Sequence, residues 1–480
     1  MITIRFHFTI AIRLSARRKG LTAMNAILPL KKDSTSQGNF YVPATLFKCW
    51  VDRISFPNQL CFGSRRSFCT VSPHPDNKEE YLLSEDLWKV LGVPSETSVH
   101  LFEKGNSLHI GPLVGIFTAG FTKDSMRPIG ERSMYFAKLL SATLKCGAIG
   151  FAFGAHHIDW KTGSIKGLMY NKRGWYRVTV PIPDVIYDRL PNRSSANIEQ
   201  VSTTMKKLQS QYFTPWFNPG FFDKWTMFEK LREEETVKDY LPETVLSPKT
   251  TVIASMLKEY EQLYIKPANG SLGLGIQQIL KPANEKYYYC RFRTDKENRL
   301  RRYTSLARLL KTQYPNGMDG LIAQQGIDLH RIHHRSMDYR VHTNKNKEGY
   351  WEVSAIAAKI AGAGSLTTHM ASNGTVKTIG ELTSEYGVKK QVETDLMEAS
   401  LQLSRAIDKK VSGFIGEIGF DLGITKEGKI YLFEANSKPG RGIFSHPKLK
   451  VEEARTRMLP IEYAIFLAQS TIEKQLVTTV

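Results

Sequence analysis

Two carboxylates and an amide recur across what reads as a β-hairpin near the C-terminus, in Gly416-Glu417-Ile418-Gly419-Phe420-Asp421 and Phe433-Glu434-Ala435-Asn436. Thr425-Lys426-Glu427-Gly428 separates two alternating runs and reads as the turn. With those four residues as the loop, Ile424 pairs with Lys429 and Asp421 faces Leu432. Glu434 then lies diagonally from Asp421, roughly 7 Å away on the same face. Asn436, two residues beyond Glu434, points the same way. Asp421, Glu434 and Asn436 are therefore candidate ligands for a hard cation such as Mg²⁺, which takes carboxylates together with substrate phosphates. The plain alternative is a hairpin with solvated acids. Gly419, Phe433 and Ala435 around the acids favour a partly buried strand pair.

A second set of residues lies upstream. Leu263-Tyr264-Ile265 leads into Lys266-Pro267-Ala268-Asn269-Gly270-Ser271-Leu272-Gly273-Leu274-Gly275-Ile276. Gly270, Gly273 and Gly275, with Ser271, make a loop whose backbone N–H groups can approach phosphate oxygens closely. Lys266 ends the preceding strand and can set its ammonium on a phosphate. No Gly-Lys-Ser/Thr follows, so this is not a Walker A loop. Ile276–Leu280 reads as a strand and not a helix, which excludes the dinucleotide fingerprint. Alone, such a turn marks only a hairpin. Joined to the acidic hairpin, it is much stronger evidence for phosphate oxygens held near a divalent ion.

The elements that must position these residues follow from periodicity. Phe40–Trp50 resembles Tyr81–Leu91, and each is followed by a pair of β-like runs, Gln59–Gly63 with Phe68–Val71 and Val99–Phe102 with Ser107–Ile110. This predicts a small two-repeat β domain over 24–110. From Gly111, strands alternate with a helix near Ser133–Cys146, which predicts a parallel α/β domain over 111–215. A helix over Lys224–Glu235 precedes the Gly-rich loop. Leu321–Ile327 reads as an inner strand running into a linker. Asp338–His342 pairs plausibly with Trp351–Ile356, and a long amphipathic helix near Val392–Lys409 precedes the acidic hairpin.

Bulk properties narrow the function classes. The chain has 480 residues, enough for two to four domains, and its 41% hydrophobic and 23% charged content is that of an ordinary globular protein. No run of about 18 apolar residues occurs, which argues against a transmembrane helix. Residues 1–23 carry scattered arginines and read as a disordered basic extension, with Met24 as an alternative start. A net charge of +20 favours anionic partners. The basic residues are dispersed and no nucleic-acid motif stands out, so nucleic acid is disfavoured. The five cysteines are odd in number and lack metal spacing, which makes a reduced, cytoplasmic protein the default. His330, His333 and His334 interleave with Arg331 and Arg335 and read as a solvated polar loop.

Taken in order, several segments resemble the ATP-grasp superfamily, and more closely its YheC/YheD group of endospore-coat-associated proteins, over roughly residues 82–445. They are Ile110–Gly115, Pro183–Arg189, Phe222–Trp225, Leu241–Thr244, Lys266-Pro267 with the Gly-rich loop, Asp338–Arg340 and Glu434–Arg441. The resemblance implies an α/β (α+β) ATP-grasp fold over 216–478. Its nucleotide lobe would span about 216–322 and its metal-binding lobe about 323–478, with 111–215 as the pre-ATP-grasp domain. It implies ATP as cofactor, with Lys224 and Lys266 on the phosphates or base edge and Gly270, Ser271, Gly273 and Gly275 closing over the phosphates. Gln324, Gln325 and Ile327 would hold adenine and ribose. Arg340 would face the γ-phosphate or acyl phosphate. Asp421, Glu434 and Asn436 would hold Mg²⁺, with Mn²⁺ as an alternative ion.

Relatives such as D-alanine–D-alanine ligase and glutathione synthetase activate a carboxylate as an acyl phosphate that an amine then attacks. The implied partners are small-molecule or peptide carboxylates and amines, anionic ones included, and coat proteins. The implied location is cytoplasmic with spore-coat association. Where many relatives carry an arginine and an asparagine, this chain has Lys359 and His369, and lysine keeps the charge but loses the two-pronged fork. Two readings stay open: a carboxylate–amine ligase, and a structural coat component that retains a nucleotide site with little or no turnover.

Overall fold

The computed structural model describes residues 26–51, 56–270, 275–294, 297–362, 368 and 374–474. The extension expected over 1–23 and the residues Ser271, Gly273 and His369 lie outside the described residues. The chain forms two compact units. One takes the described residues up to Gly220, Asn346–Gly349 and those from Arg457 onward; the second takes Phe221–Lys345 and Tyr350–Thr456. The class is α/β, as expected.

The first unit contains two sheets. An eight-stranded sheet runs from Arg65–Phe68 at one edge to Thr70–Pro73 at the other. The strand–helix pairs Asn39–Val42 with Ala44–Val51, and Tyr81–Ser84 with Glu85–Leu91, supply the two similar segments of the sequence. Their first strands lie side by side, antiparallel. One β-like pair differs from expectation: Gln59–Phe62 pairs with Arg65–Phe68, because Gly63 (φ +53°) closes a tight turn before Phe68 is reached. The seven-stranded sheet holds the parallel strands β1 (Leu113–Phe117), β2 (Ile149–Phe153) and β3 (Val185–Asp188), with β1 in the middle and helix α1 (Ser133–Lys145) linking β1 to β2. These parallel strands carry one addition that the sequence reading did not include. Ser164–Asn171 and Gly174–Pro181 form an antiparallel hairpin on it, closed by Lys172, Arg173 and a left-handed Gly174. Aromatic side chains fill the core, among them Phe136, Tyr187, Phe217 and Tyr463.

The second unit carries two further six-stranded sheets. In one, β4 (Gln262–Pro267) and β5 (Leu321–Gln325) are neighbours, with Gln277–Leu280, Tyr288–Arg293 and Asn298–Tyr303 beyond β4 and Thr244–Leu246 beyond β5. Helices Thr250–Tyr260 and Leu306–Gln313 cover it through Ile253, Leu257, Leu309 and Leu310. The other sheet contains β6 (Arg335–Lys345), β7 (Trp351–Ile360), β8 (Glu417–Ile424) and β9 (Ile430–Asn436), all antiparallel to their neighbours. Helix α3 (Gln391–Lys410) packs Leu396, Ala399, Leu403 and Ile407 onto it at helical spacing. Every residue of β8 is buried, so its polar members must find partners inside the protein. Among the described residues, no helix is long and apolar enough to cross a membrane.

Candidate functional site

The acidic hairpin differs from the sequence reading in two steps that act together. The loop is one residue shorter than expected: Thr425 N–H donates to the Lys429 carbonyl (3.0 Å), Gly428 has φ +91°, and Ile424 pairs with Ile430 instead of Lys429. A β-bulge at Phe433 then inserts one residue, so Asp421 stands opposite Glu434 instead of Leu432. Two one-residue shifts leave the face unchanged and bring the two carboxylates from a diagonal to a direct pairing. Asn436 stands opposite Gly419 on that face, outside the cavity lining. The bulged Phe433 lies over Gly423, where an added Cβ would come within 2.5 Å of the ring and 2.6 Å of Leu329. Glycine is required there for the ring to form the floor.

Within this unit a cavity of about 140 Å³ is lined on one side by Tyr264, Lys266, Ile276, Gln324, Gln325 and Ile327, and on the other by Asp338, Lys359, Asp421, Phe433 and Glu434. Lys224 and Thr368 also reach it. The structure thus gathers Lys224, Lys266, Gln324, Gln325, Ile327, Lys359, Asp421 and Glu434, all named from the sequence. Gly270 and Gly275, on either side of residues 271–274, which lie outside the described residues, do not line the cavity.

Lys266 is the distinctive group. It is buried, and its ammonium donates to a neutral partner, Gln324 Oε1, at 2.6 Å. Gln324 is held in turn by Thr244 Oγ1, which accepts from Nε2 (3.0 Å) and donates to the Pro242 carbonyl (2.9 Å). The Leu241–Thr244 segment therefore positions the lysine through an amide. Among the described residues no carboxylate lies within ion-pair distance of Lys266. Burial pushes its pKa down to about 8 against the more distant pull of Glu434. Lys224, first residue of helix α2 (Lys224–Arg232), is set by its Asp223 N-cap, which accepts from Thr226 N–H at 2.8 Å. Its ammonium pairs with Glu434 Oε1 (3.0 Å) and donates to the Gly270 carbonyl.

The opposite wall is a closed charge lattice. Arg340 grips Asp421 with both prongs, Nε to Oδ1 at 3.0 Å and Nη2 to Oδ2 at 2.9 Å. Lys359 bridges Asp421 Oδ1 (2.7 Å) and Asp338 Oδ1 (3.0 Å), and Thr368 Oγ1 donates to Asp338 Oδ2 (2.5 Å). Burial pushes Asp421 up, but Arg340 and Lys359 outweigh it and hold its carboxyl well below the usual range. At Asp338 burial prevails over Lys359, and its carboxyl is raised. Arg340, expected to face a transferred phosphate, does not line the cavity: its partner is Asp421, across the β6–β8 register.

Sequence reasoning missed Asp338, Thr368, Thr244, Tyr264 and Phe433 as parts of this wall and floor. Asp338 was legible by its place two residues before Arg340, on the same strand face. The bulge that turns Phe433 inward left no sequence signal. The histidines 330, 333 and 334 form no metal cluster: Arg331-Ile332 pairs with Arg335-Ser336, and His333 and His334 are its turn, at φ +47° and +63°. Among the described residues, no group of three or more His, Cys, Asp or Glu side chains could hold a metal. Arg441 donates to Thr456 Oγ1 (2.6 Å) and the Glu453 carbonyl (3.0 Å), tying the loop after β9 to the chain that follows.

The family model described as YheC/D-like ATP-grasp matches residues 213–467, which carry this cavity. Endospore coat-associated protein YheD of Bacillus subtilis (strain 168) is 38% identical over 446 residues, covering 92% of this chain and 96% of that protein. Endospore coat-associated protein YheC of the same organism is 23% identical over 337 residues, covering 68% and 89%. Among solved structures, the D-alanine–D-alanine ligase from Coxiella burnetii overlays with a TM-score of 0.43 at 12% identity, over 76% of this chain and 97% of that one. This chain belongs to the YheC/D-like ATP-grasp family.

Proposed function

We propose that this protein binds ATP with Mg²⁺ and joins a carboxylate to an amine through an acyl phosphate, in association with the spore coat. The observation that supports this most is Lys266, a buried ammonium facing an open cavity with only an amide oxygen for company. Such a group calls for an incoming anion. Three lysines (Lys224, Lys266, Lys359) and three carboxylates (Asp338, Asp421, Glu434) line the cavity, and Arg340 behind it grips Asp421 from outside the lining. That balance suits a polyphosphate arriving with a metal, and not a bare divalent ion.

In this reading Lys266 and Lys224 hold phosphate oxygens, and the backbone of Gly270, Ser271, Gly273 and Gly275 covers them. Gln324, Gln325 and Ile327 hold adenine and ribose between Tyr264 and Phe433. Asp421, Glu434 and Asn436 are the donor set for Mg²⁺. The oxygen-only chemistry of these residues fits a hard ion. Mg²⁺ there would neutralise phosphate charge as it develops. Arg340 and Lys359 place positive charge beside the transferring group. A carboxylate is a poor electrophile; phosphorylation gives it a leaving group, and the amine then displaces phosphate. The same reading assigns 24–110 to a small β domain, 111–215 to a pre-ATP-grasp domain, and about 216–322 and 323–478 to the nucleotide and metal lobes.

A structural coat role with a retained site is the second reading. It is favoured by the Asp421 lattice, in which Arg340 and Lys359 are already satisfied. ADP release from the purified protein with Mg²⁺, screened over amino acids, peptides and cell-wall precursors, separates the two. Substrate-dependent release that disappears in Glu434→Ala is the expected result. ATP binding without turnover across the panel would favour the coat component.

A further inference from the structure

Among the described residues, the sheet that carries β4 and β5 ends on the strand Asn298–Tyr303, which pairs with Tyr288–Arg293 on one side only. Its first five residues are exposed. The register fixes which of its backbone groups are free. Thr294 N–H donates to the Glu297 carbonyl (2.9 Å), and bonded pairs alternate with non-bonded pairs along an antiparallel ladder. Arg299, Arg301 and Tyr303 therefore turn their N–H and C=O groups inward, toward Phe292, Cys290 and Tyr288. Asn298, Leu300 and Arg302 turn theirs to the open edge. Three donors and three acceptors stand there in strand geometry, with no described strand to receive them.

Side chains decide what can dock. Arg299 and Arg301 share one face of the strand, and Leu300 and Arg302 the other. Aromatic rings seat two of the guanidinium groups. Arg301 lies 5.3 Å from the Phe292 centroid and Arg302 lies 4.4 Å from that of Tyr287. Arg299 has Glu297 at 3.5 Å, whereas no described carboxylate lies within ion-pair distance of Arg301 or Arg302. Leu300, between the arginines, is 57% exposed. Charged edge strands commonly keep sheets apart. Here every charge on the strand is positive. A second copy of this edge would set arginine against arginine, whereas a strand with carboxylates at alternate positions would set them opposite Arg299 and Arg301. Planar forks pair with carboxylates through two parallel bonds. A nucleic-acid backbone could meet the arginines, but its phosphates cannot donate to the outward carbonyls.

We propose that this edge is a docking site for an acidic polypeptide segment, bound in extended form as an added strand. The backbone row supplies affinity, the arginines select for acidic residues, and Leu300 offers one apolar contact.

The test uses the full-length chain and a fluorescein-labelled octapeptide of alternating Glu and Thr, followed by fluorescence anisotropy at low ionic strength. The peptide is expected to bind at one saturable site. Arg301→Glu and Arg302→Glu should each weaken binding tenfold or more. Leu300→Pro removes an outward N–H and no bond of the ladder, so it should weaken binding as much while leaving the unfolding midpoint near that of its parent. Two further peptides, N-methylated on every Glu or on every Thr, apply the same test without altering the protein: an added strand bonds through alternate residues, so one pattern should lose binding and the other keep it. No binding of the octapeptide overturns the proposal. So does binding that the Arg301 and Arg302 variants leave unchanged, or that both N-methylated peptides retain equally. Capture of oligothymidylate in place of the peptide would make the edge a polyanion surface and overturn it as well.

Discussion

Lys266→Met isolates the free-energy cost of keeping a cation in the cavity. The drop from an ordinary 10.5 to about 8 corresponds to about 3 kcal/mol of unfavourable ionisation, at about 1.4 kcal/mol per unit. The sign follows from proton counts. Between pH 8 and 10.5 the unfolded lysine holds its proton while the folded one has released it, so wild-type stability rises with pH across that window. Methionine has no such term. It leaves Gln324 Oε1 unpaired, a cost of about 1–3 kcal/mol that does not change with pH. The stability difference between wild type and Lys266→Met should therefore move in favour of wild type by about 2 kcal/mol from pH 7 to pH 9.5. Urea unfolding at matched pH values, followed by tryptophan fluorescence (Trp225 and Trp351 lie in this unit), reads that difference. A difference that stays flat over the window would show that Lys266 is not held desolvated. The same variant should bind ATP at least tenfold more weakly.

Lys359→Met removes the cation between Asp338 and Asp421 and should destabilise the unit by about 3–5 kcal/mol, measured by urea midpoint. Lys359→Arg should recover part of that loss. Mg²⁺ alone should give no calorimetric signal at millimolar concentration, because Asp338, Asp421 and Glu434 are already paired with Lys359, Arg340 and Lys224, whereas Mg²⁺ with ATP should bind. Gly423→Ala should push Phe433 off the cavity floor and lower ATP affinity several-fold while leaving the circular dichroism spectrum unchanged.

Local chemistry was legible where residue type and period sufficed. Helix α3 declared itself through Leu396, Ala399, Leu403 and Ile407 and formed within one residue of expectation at each end; the strand pair β6–β7 declared itself through its alternation and runs three to four residues beyond the expected 338–342 and 351–356 at three of its four ends. Lys266, Asp421 and Glu434 were found from a strand end and a turn signal, and Gln324 through the family resemblance alone. What the sequence could not supply was register. The hairpin closes one residue earlier than four polar turn residues suggest, and the Phe433 bulge adds one back, because Phe433 gains burial against Gly423 and Leu329. The Arg340 and Lys359 partnerships with Asp421 were equally hidden: they join strands 62 to 81 residues apart, and no local pattern encodes such a meeting. The Ser164–Pro181 hairpin was overlooked because its alternation carries charged and aromatic residues on the exposed face of a sheet read as parallel.

The central claim is that Lys266 on one wall and Asp421 with Glu434 on the other bracket a metal-bound triphosphate. A crystal structure of the protein soaked with Mn²⁺ and a non-hydrolysable ATP analogue tests it directly. The account predicts an anomalous peak within coordination distance of Glu434, phosphate oxygens against the Lys266 ammonium, and adenine beside Gln325 and Ile327. Nucleotide bound elsewhere, or a triphosphate that leaves Lys266 on its amide alone, would contradict it.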